Sequence, residues 1–207
     1  MAGPDPAVSQ VRTAVRRFLA AHAGGPAVAV ACSGGADSLA LAAATIHCGS
    51  RVGLAVHGLV VDHGLQPCSG RVAADAAATM QQLGCTTVSV LPTTVNGKGG
   101  PEAAARRARY AALAAAAPPG APVLLGHTRD DQAETVLLGL GRGSGPRSVA
   151  GMREYEPPWG RPLLDLGRSV TAAACAALGL VPWSDPHNSD PRFRRVRLRS
   201  EVLPLLE

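Results

Sequence analysis

Lysine is almost absent from this chain of 207 residues: Lys98 is the single example, and the rest of its Lys+Arg total of 20 is arginine. Aromatic residues are nearly as scarce, with two each of Trp, Tyr and Phe. Hydrophobic residues still reach 46%, so a core is available, but Ala, Val and Leu must fill it. The five cysteines, at 32, 48, 68, 85 and 175, are odd in number and form no CxxC pair. That spacing excludes a disulfide framework or a cysteine-rich metal site and leaves small, buried, apolar thiols. No apolar run approaches the roughly 20 residues of a membrane span. Residues 1–10 lack the basic-then-apolar pattern of a secretory signal, so the expected location is the cytoplasm. A GxxxxGK[ST] loop is also missing, which excludes a lysine-bearing Walker site.

What is present alternates. Residues 6–23 carry apolar positions at helical spacing and stop at Gly24-Gly25-Pro26. The Val-rich run 27–31 reads as a buried strand, 37–48 as a helix and 52–61 as a second strand. A helix over 69–83, a strand over 86–91, a helix over 101–117, a strand over 122–126 and a helix over 130–140 follow. Strand–helix alternation predicts an α/β fold of Rossmann-like type, a parallel sheet with helices on both faces. Residues 151–166 read as irregular, 169–178 as a helix, and a basic helix begins near Arg192. The division expected is a catalytic unit over 1–165 and a helical segment over 166–207.

Between the first strand and its helix stand Ser33, Gly34, Gly35, Ala36, Asp37 and Ser38. Two glycines permit a tight bend that turns backbone N–H groups toward an anion, and the helix start adds partial positive charge. Asp37 would repel a bare phosphate, so it implies a magnesium ion in between. The blander alternative is a Ser/Gly turn that only starts a helix. Further along, Glu102, Arg106 and Arg109 share a helical face; they suit a phosphate clamp or an exposed salt-bridged stripe. Asp131 and Glu134, at i and i+3, also share a face. Two carboxylates can hold and orient an ammonium group, or simply complement the helix start. Asp130 is a candidate cap for that helix. Net charge is +5, and Arg192, Arg194, Arg195, Arg197 and Arg199 crowd one segment, which suits a phosphate-backbone contact or a solvated helix face.

The string SGGADS resembles the SGGxDS loop of the PP-loop ATP pyrophosphatases, which cleave ATP between its α and β phosphates. Five more stretches resemble one branch, the tRNA(Ile)-lysidine synthetases: VDHGLQ at 61–66, ExxARxxRY at 102–110, GHTRDDQAET at 126–135, LGRGSG at 140–145 with RPLL at 161–164, and DPHNSD at 185–190 followed by arginines. Gln66 and Val196 stand where that family usually has Arg and Asn. The resemblance implies ATP and magnesium as cofactors. It implies tRNA(Ile) with a CAU anticodon and free L-lysine as partners, and loosely a homodimer. Nucleotide contacts would be Ser33 to Ser38, His63, His127, Arg142 and Gly143. Lysine would fall to Asp131 and Glu134, catalysis to those two with Asp37 and Arg106, and tRNA to Arg109, Arg194, Arg195 and Arg199. The alternatives are a tRNA-thiolating enzyme on the same fold, which the missing CxxC disfavours, and a nucleotide-binding module without chemistry. The family continues into a helical tRNA-binding region, so weak and strongly salt-dependent tRNA binding is expected of these residues alone.

Overall fold

The structure is a computed structural model that describes residues 3–64, 68–94, 101–141, 143, 150–185 and 194–205. At 101, 102, 194, 195 and 204 it describes backbone only. The sequence readings that fall on Gln66, Lys98, Arg142 and 186–190, and on the side chains of Glu102, Arg194 and Arg195, lie outside the described residues.

Helix α1 (Pro6–His22) starts where Asp5 accepts a hydrogen bond from the Ala7 N–H at 2.8 Å, with proline in its first turn. Its buried face is Val8, Val11, Val15, Phe18 and Leu19. Strand β1 (Ala27–Ala31), helix α2 (Ala36–Arg51), strand β2 (Ala55–Asp62), helix α3 (Ser69–Gln82), strand β3 (Thr87–Pro92) and helix α4 (Pro101–Ala116) follow. Then come strand β4 (Val123–Leu124), helix α5 (Arg129–Gly141), strands β5 (Tyr155–Glu156) and β6 (Trp159–Gly160), and helix α6 (Arg168–Ala177). The last described segment begins as a short helix α7 (Arg194–Arg197), widens to a π-helical turn over Leu198–Val202 and tightens to a 3-10 turn over Leu203–Leu205.

The sheet order is β3-β2-β1-β4-β6-β5. All pairings are parallel except β5 with β6, where Tyr155 opposes Gly160. The Rossmann-like expectation is met. One reading is corrected: residues 151–166, taken as irregular, contain the β5–β6 hairpin. Its two strands are only two residues long, and Pro157-Pro158 between them hides any alternation.

Scarce aromatics shape the packing. Helix α2 is buried almost all round through Leu39, Ala40, Leu41, Ala42, Ala43, Ala44 and Ile46, and α1 and α6 lie across it. Small side chains let these helix backbones approach closely, which replaces bulk with proximity. This core joins α1, α2, α3 and α6 on one face of the sheet. On the other, Leu113 and Tyr110 of α4 pack with Ala29, Leu59, Val123 and Leu125. Strand order reverses direction at β1, with β2 on one side and β4 on the other. Ligands of open α/β sheets bind outside the carboxyl ends of the strands at such a point.

Candidate active site

The loop after β1 is held by its own atoms. Gly34 sits at φ +85°, a conformation a side chain resists, and its carbonyl accepts a 2.9 Å bond from the Trp183 N–H. Ser38 is buried, 8% exposed. Its hydroxyl donates to the Gly35 carbonyl at 2.8 Å and accepts from the Ser33 N–H at 3.1 Å. Ser38 thus closes the bend from inside, and Ser33 is the exposed hydroxyl. Gly126, at the end of β4, backs onto the first turn of α2: a Cβ there would lie 3.1 Å from the Asp37 carbonyl and the Ser38 Cα. The loop and the GHTRDD segment are therefore in backbone contact, as two neighbouring strand ends require.

Helix α5 begins with one half of a capping box. Asp131 Oδ2 accepts from the Thr128 N–H at 2.8 Å and also from the Thr128 hydroxyl at 3.0 Å. Asp130, expected as a cap for α5, instead accepts from the backbone N–H of Arg168 at 2.9 Å, and so caps α6.

Arg168 is the centre of the site. Its Nε donates to Asp37 Oδ2 at 3.3 Å, Nη2 to Asp131 Oδ1 at 2.7 Å, and Nη1 to Glu134 Oε1 at 3.4 Å. Thr171, one turn further along α6, donates its hydroxyl to Asp37 Oδ1. Glu134 is fully buried. Its Oε1 also accepts from Arg199 Nε at 3.0 Å and Nη2 at 2.8 Å. Its Oε2 is buried and has no hydrogen-bond partner among the described residues. Three carboxylates thus face two guanidinium groups, and one acceptor is left open. Burial raises the Asp37 pKa above the usual carboxylate range, against the opposing pull of Thr171 and Arg168.

A cationic rim lies beside this cluster. The Arg106 guanidinium sits 4.9 Å from the Tyr110 ring centroid and Arg109 5.6 Å. His127 is held near pKa 4, first by burial and then by Arg109, Arg161 and Arg106, with Asp131 opposing. Its Nδ1 is buried and unpaired among the described residues. His63, bonded to the Thr93 hydroxyl at 3.4 Å, also has a lowered pKa, from burial and then Arg109. Both imidazoles are therefore neutral at neutral pH. Gly143 is exposed at φ +63°.

The structure brings Asp37, Asp131 and Glu134 together and sets His63, His127, Arg106 and Arg109 in one electrostatic neighbourhood. Arg199 turns inward to Glu134. Asp37 does not fit as a direct magnesium ligand in this arrangement. Both its oxygens are engaged, a guanidinium lies beside it, and no cluster of three metal-ligating side chains exists among the described residues. Sequence reasoning missed Arg168, Thr171 and Trp183. A T-x-x-D spacing at 128–131 was the available signal for the capping box; nothing local marks Arg168. Of the cysteines, 32, 48 and 175 are buried and 85 is partly so, but Cys68 is exposed, contrary to the reading of all five as buried. Burial raises the Cys32 pKa and pushes Cys175 up to about 11, so the thiols beside the loop are not thiolates.

A doubly wound sheet with a glycine-bent, lysine-free loop at its switch point defines a nucleotide-binding domain of the adenine nucleotide α-hydrolase-like class. Residues 8–206 match the family model described as the PP-loop domain, and the chain belongs to that family. It is 61% identical over 203 residues to a tRNA(Ile)-lysidine synthase of Rhodococcus jostii, covering 98% of this chain and 61% of the relative. It is 54% identical over 209 residues to the enzyme of that name from Thermobifida fusca, covering 100% and 64%. The chain thus spans rather less than two thirds of these relatives' length. Among solved structures it resembles the U34-tRNA thiolase NcsA of Methanococcus maripaludis, with TM-score 0.74 and 17% identity, over 96% of this chain and 72% of that one. It also resembles an NH3-dependent NAD synthetase of Campylobacter jejuni, with TM-score 0.54 and 14% identity, over 84% and 72%. These two likenesses concern the fold. No described helix is long and apolar enough to cross a membrane.

Proposed function

We propose that this chain carries the catalytic site for ATP-dependent ligation of lysine to C2 of the wobble cytidine in tRNA(Ile) bearing a CAU anticodon. The observation that carries the reading is the carboxylate cluster beside the loop: Asp37, Asp131 and Glu134 outnumber their guanidinium partners, and Glu134 keeps one buried oxygen unpaired. An ammonium ion supplies the missing donor and the missing positive charge. The lysidine synthase relatives support the choice of lysine and tRNA over other amines and acceptors.

In the first step ATP lies on the loop 33–38, whose backbone N–H groups and helix start face its phosphates. The C2 carbonyl oxygen of the cytidine attacks the α phosphorus and pyrophosphate departs. Arg106, with Arg142, offsets the charge that develops. In the second step the lysine ε-amine attacks C2 and AMP departs. Asp131 and Glu134 hold the ammonium form, and a carboxylate takes its proton before attack. Neutral His127 contacts the nucleotide as donor or acceptor without adding charge. Magnesium would enter with ATP and offset phosphate charge, and Asp37, occupied by Arg168 and Thr171, would not hold it. The arginines at 109, 194 and 195 serve the tRNA backbone in this reading, and the work is done in the cytoplasm.

The test is pyrophosphate release measured with and without lysine and with and without tRNA. Turnover is expected only when both are present, and Asp131→Asn is expected to lower the lysine-dependent product steeply while ATP still binds. Undiminished lysine transfer by Asp131→Asn would remove the amine site.

A further inference from the structure

Arg168 touches side chains from two different parts of the site at once. Asp37 comes from the first turn of α2, at the nucleotide loop, while Asp131 and Glu134 come from α5. The residues on either side of the guanidinium are otherwise held independently. The loop has its own bonds through Ser38 and Gly34. Asp131 keeps Thr128, and Glu134 keeps Arg199. The guanidinium is itself aimed by α6, whose first backbone N–H is fixed by Asp130 and whose Thr171 reaches Asp37. It is largely buried, with 27% of its side chain exposed.

Resting on the ligase reading above, we propose that Arg168 is a positioning residue: it fills the middle of the carboxylate cluster, on Glu134 Oε1 and Asp131 Oδ1, and so confines the substrate amine to the side of Glu134 Oε2, where the activated base arrives. A planar fork can occupy three carboxylates at fixed angles; an ammonium ion cannot. With the fork removed, three mutually repelling carboxylates would surround a hole of one positive charge. The lysine ε-ammonium would be drawn into that hole, away from C2. Binding of lysine would survive and attack would fail, because displacement by about 1 Å from the reactive position costs on the order of 10²-fold in rate.

The experiment uses the protein at its full natural length, with Arg168→Gln and Arg168→Lys, and separates KM for lysine, KM for ATP and kcat. For Arg168→Gln the expectation is a kcat lower by roughly tenfold to a hundredfold, a lysine KM that is unchanged or lower, and an ATP KM within about threefold of wild type. Arg168→Lys, which restores charge without the fork, is expected to recover part of kcat and to fold even where the glutamine variant does not. A raised lysine KM at unchanged kcat would overturn the inference, as would an Arg168→Lys variant equal to wild type in all three constants. Release of AMP by the wild-type protein without lysine would instead remove the ligase reading, and this inference with it.

Discussion

Replacing Glu134 by glutamine isolates the buried pair that joins α5 to the last described segment. Shape and one oxygen acceptor are kept; the charge is lost. In the native protein Glu134 Oε1 takes two strong bonds from Arg199, at 3.0 and 2.8 Å, and a longer one from Arg168 at 3.4 Å. Hydrogen bonds involving a charged partner on both sides contribute about 1 kcal/mol more than those to a neutral amide, so the two short bonds lose about 2–3 kcal/mol together. This lies below the 3–5 kcal/mol typical of deleting one member of a buried pair outright, because the amide oxygen still accepts. For a chain of this size each kcal/mol moves the midpoint by about 2–4 °C, so thermal unfolding should begin roughly 5–10 °C lower. Circular dichroism melts at neutral pH measure it. Glu134 is fully buried, so the deficit should change little between about 0.1 and 1 M salt. Arg17→Ala serves as the control. It breaks pairs to Glu154 and Asp165 at an arginine whose side chain is 61% exposed, and should shift the melt by no more than about 2 °C. A Glu134→Gln melt within about 2 °C of wild type would refute the claim that this pair ties the two segments together.

Three further outcomes are expected. His127 has a folded pKa near 4 against 6.5 for the free group; the unfolded chain therefore takes up its proton first, and stability should fall by roughly 1–3 kcal/mol as pH drops from 6.5 toward 4. Asp37, raised by burial, opposes this with the other sign, so the comparison is with His127→Gln, whose unfolding free energy should vary less over that interval; an identical slope would contradict a buried neutral imidazole. Gly126→Ala puts a methyl group 3.1 Å from the Asp37 carbonyl and the Ser38 Cα, backbone that cannot swing aside, so ATP affinity by calorimetry should fall by about tenfold or more with a loss of about 1–3 kcal/mol in stability; unchanged affinity would mean the loop does not depend on that contact. Trp183 bonds to the Gly34 carbonyl, and the chain has one other tryptophan, Trp159; ATP should alter the emission of wild type and of Trp159→Phe but not of Trp183→Phe, and a signal surviving in Trp183→Phe would place the nucleotide elsewhere.

Much of the fold could be read from the sequence because its signals are local. The strand 27–31 and the helix that follows Pro6 are written as short apolar runs between strong stops, and the structure places them within a residue of those limits. The β5–β6 hairpin escaped because two-residue strands have no period to detect. The site was legible in part for the same reason. The loop 33–38 and the acidic turn 130–134 are compact strings, whereas Arg168 acts on Asp37 across 131 positions of chain. Arg199 shows the other side of this: it belongs to a basic cluster that reads as a nucleic-acid face, and its guanidinium meets Glu134. Local composition reports that charges are near one another in sequence; it does not report which way each one turns.

The partners of the carboxylates are supplied late. Asp37 is made early, Asp131 and Glu134 near the middle, and Arg168, Thr171 and Arg199 only afterwards, with 65 positions between Glu134 and Arg199. During synthesis the nucleotide bend can form while its acidic neighbours still lie unneutralised in water, where like charges push α2 and α5 apart. Translation order therefore separates the two parts: a nascent chain has the glycine-bent loop well before Arg168, Thr171 and Arg199 emerge to join it to α5 and α6.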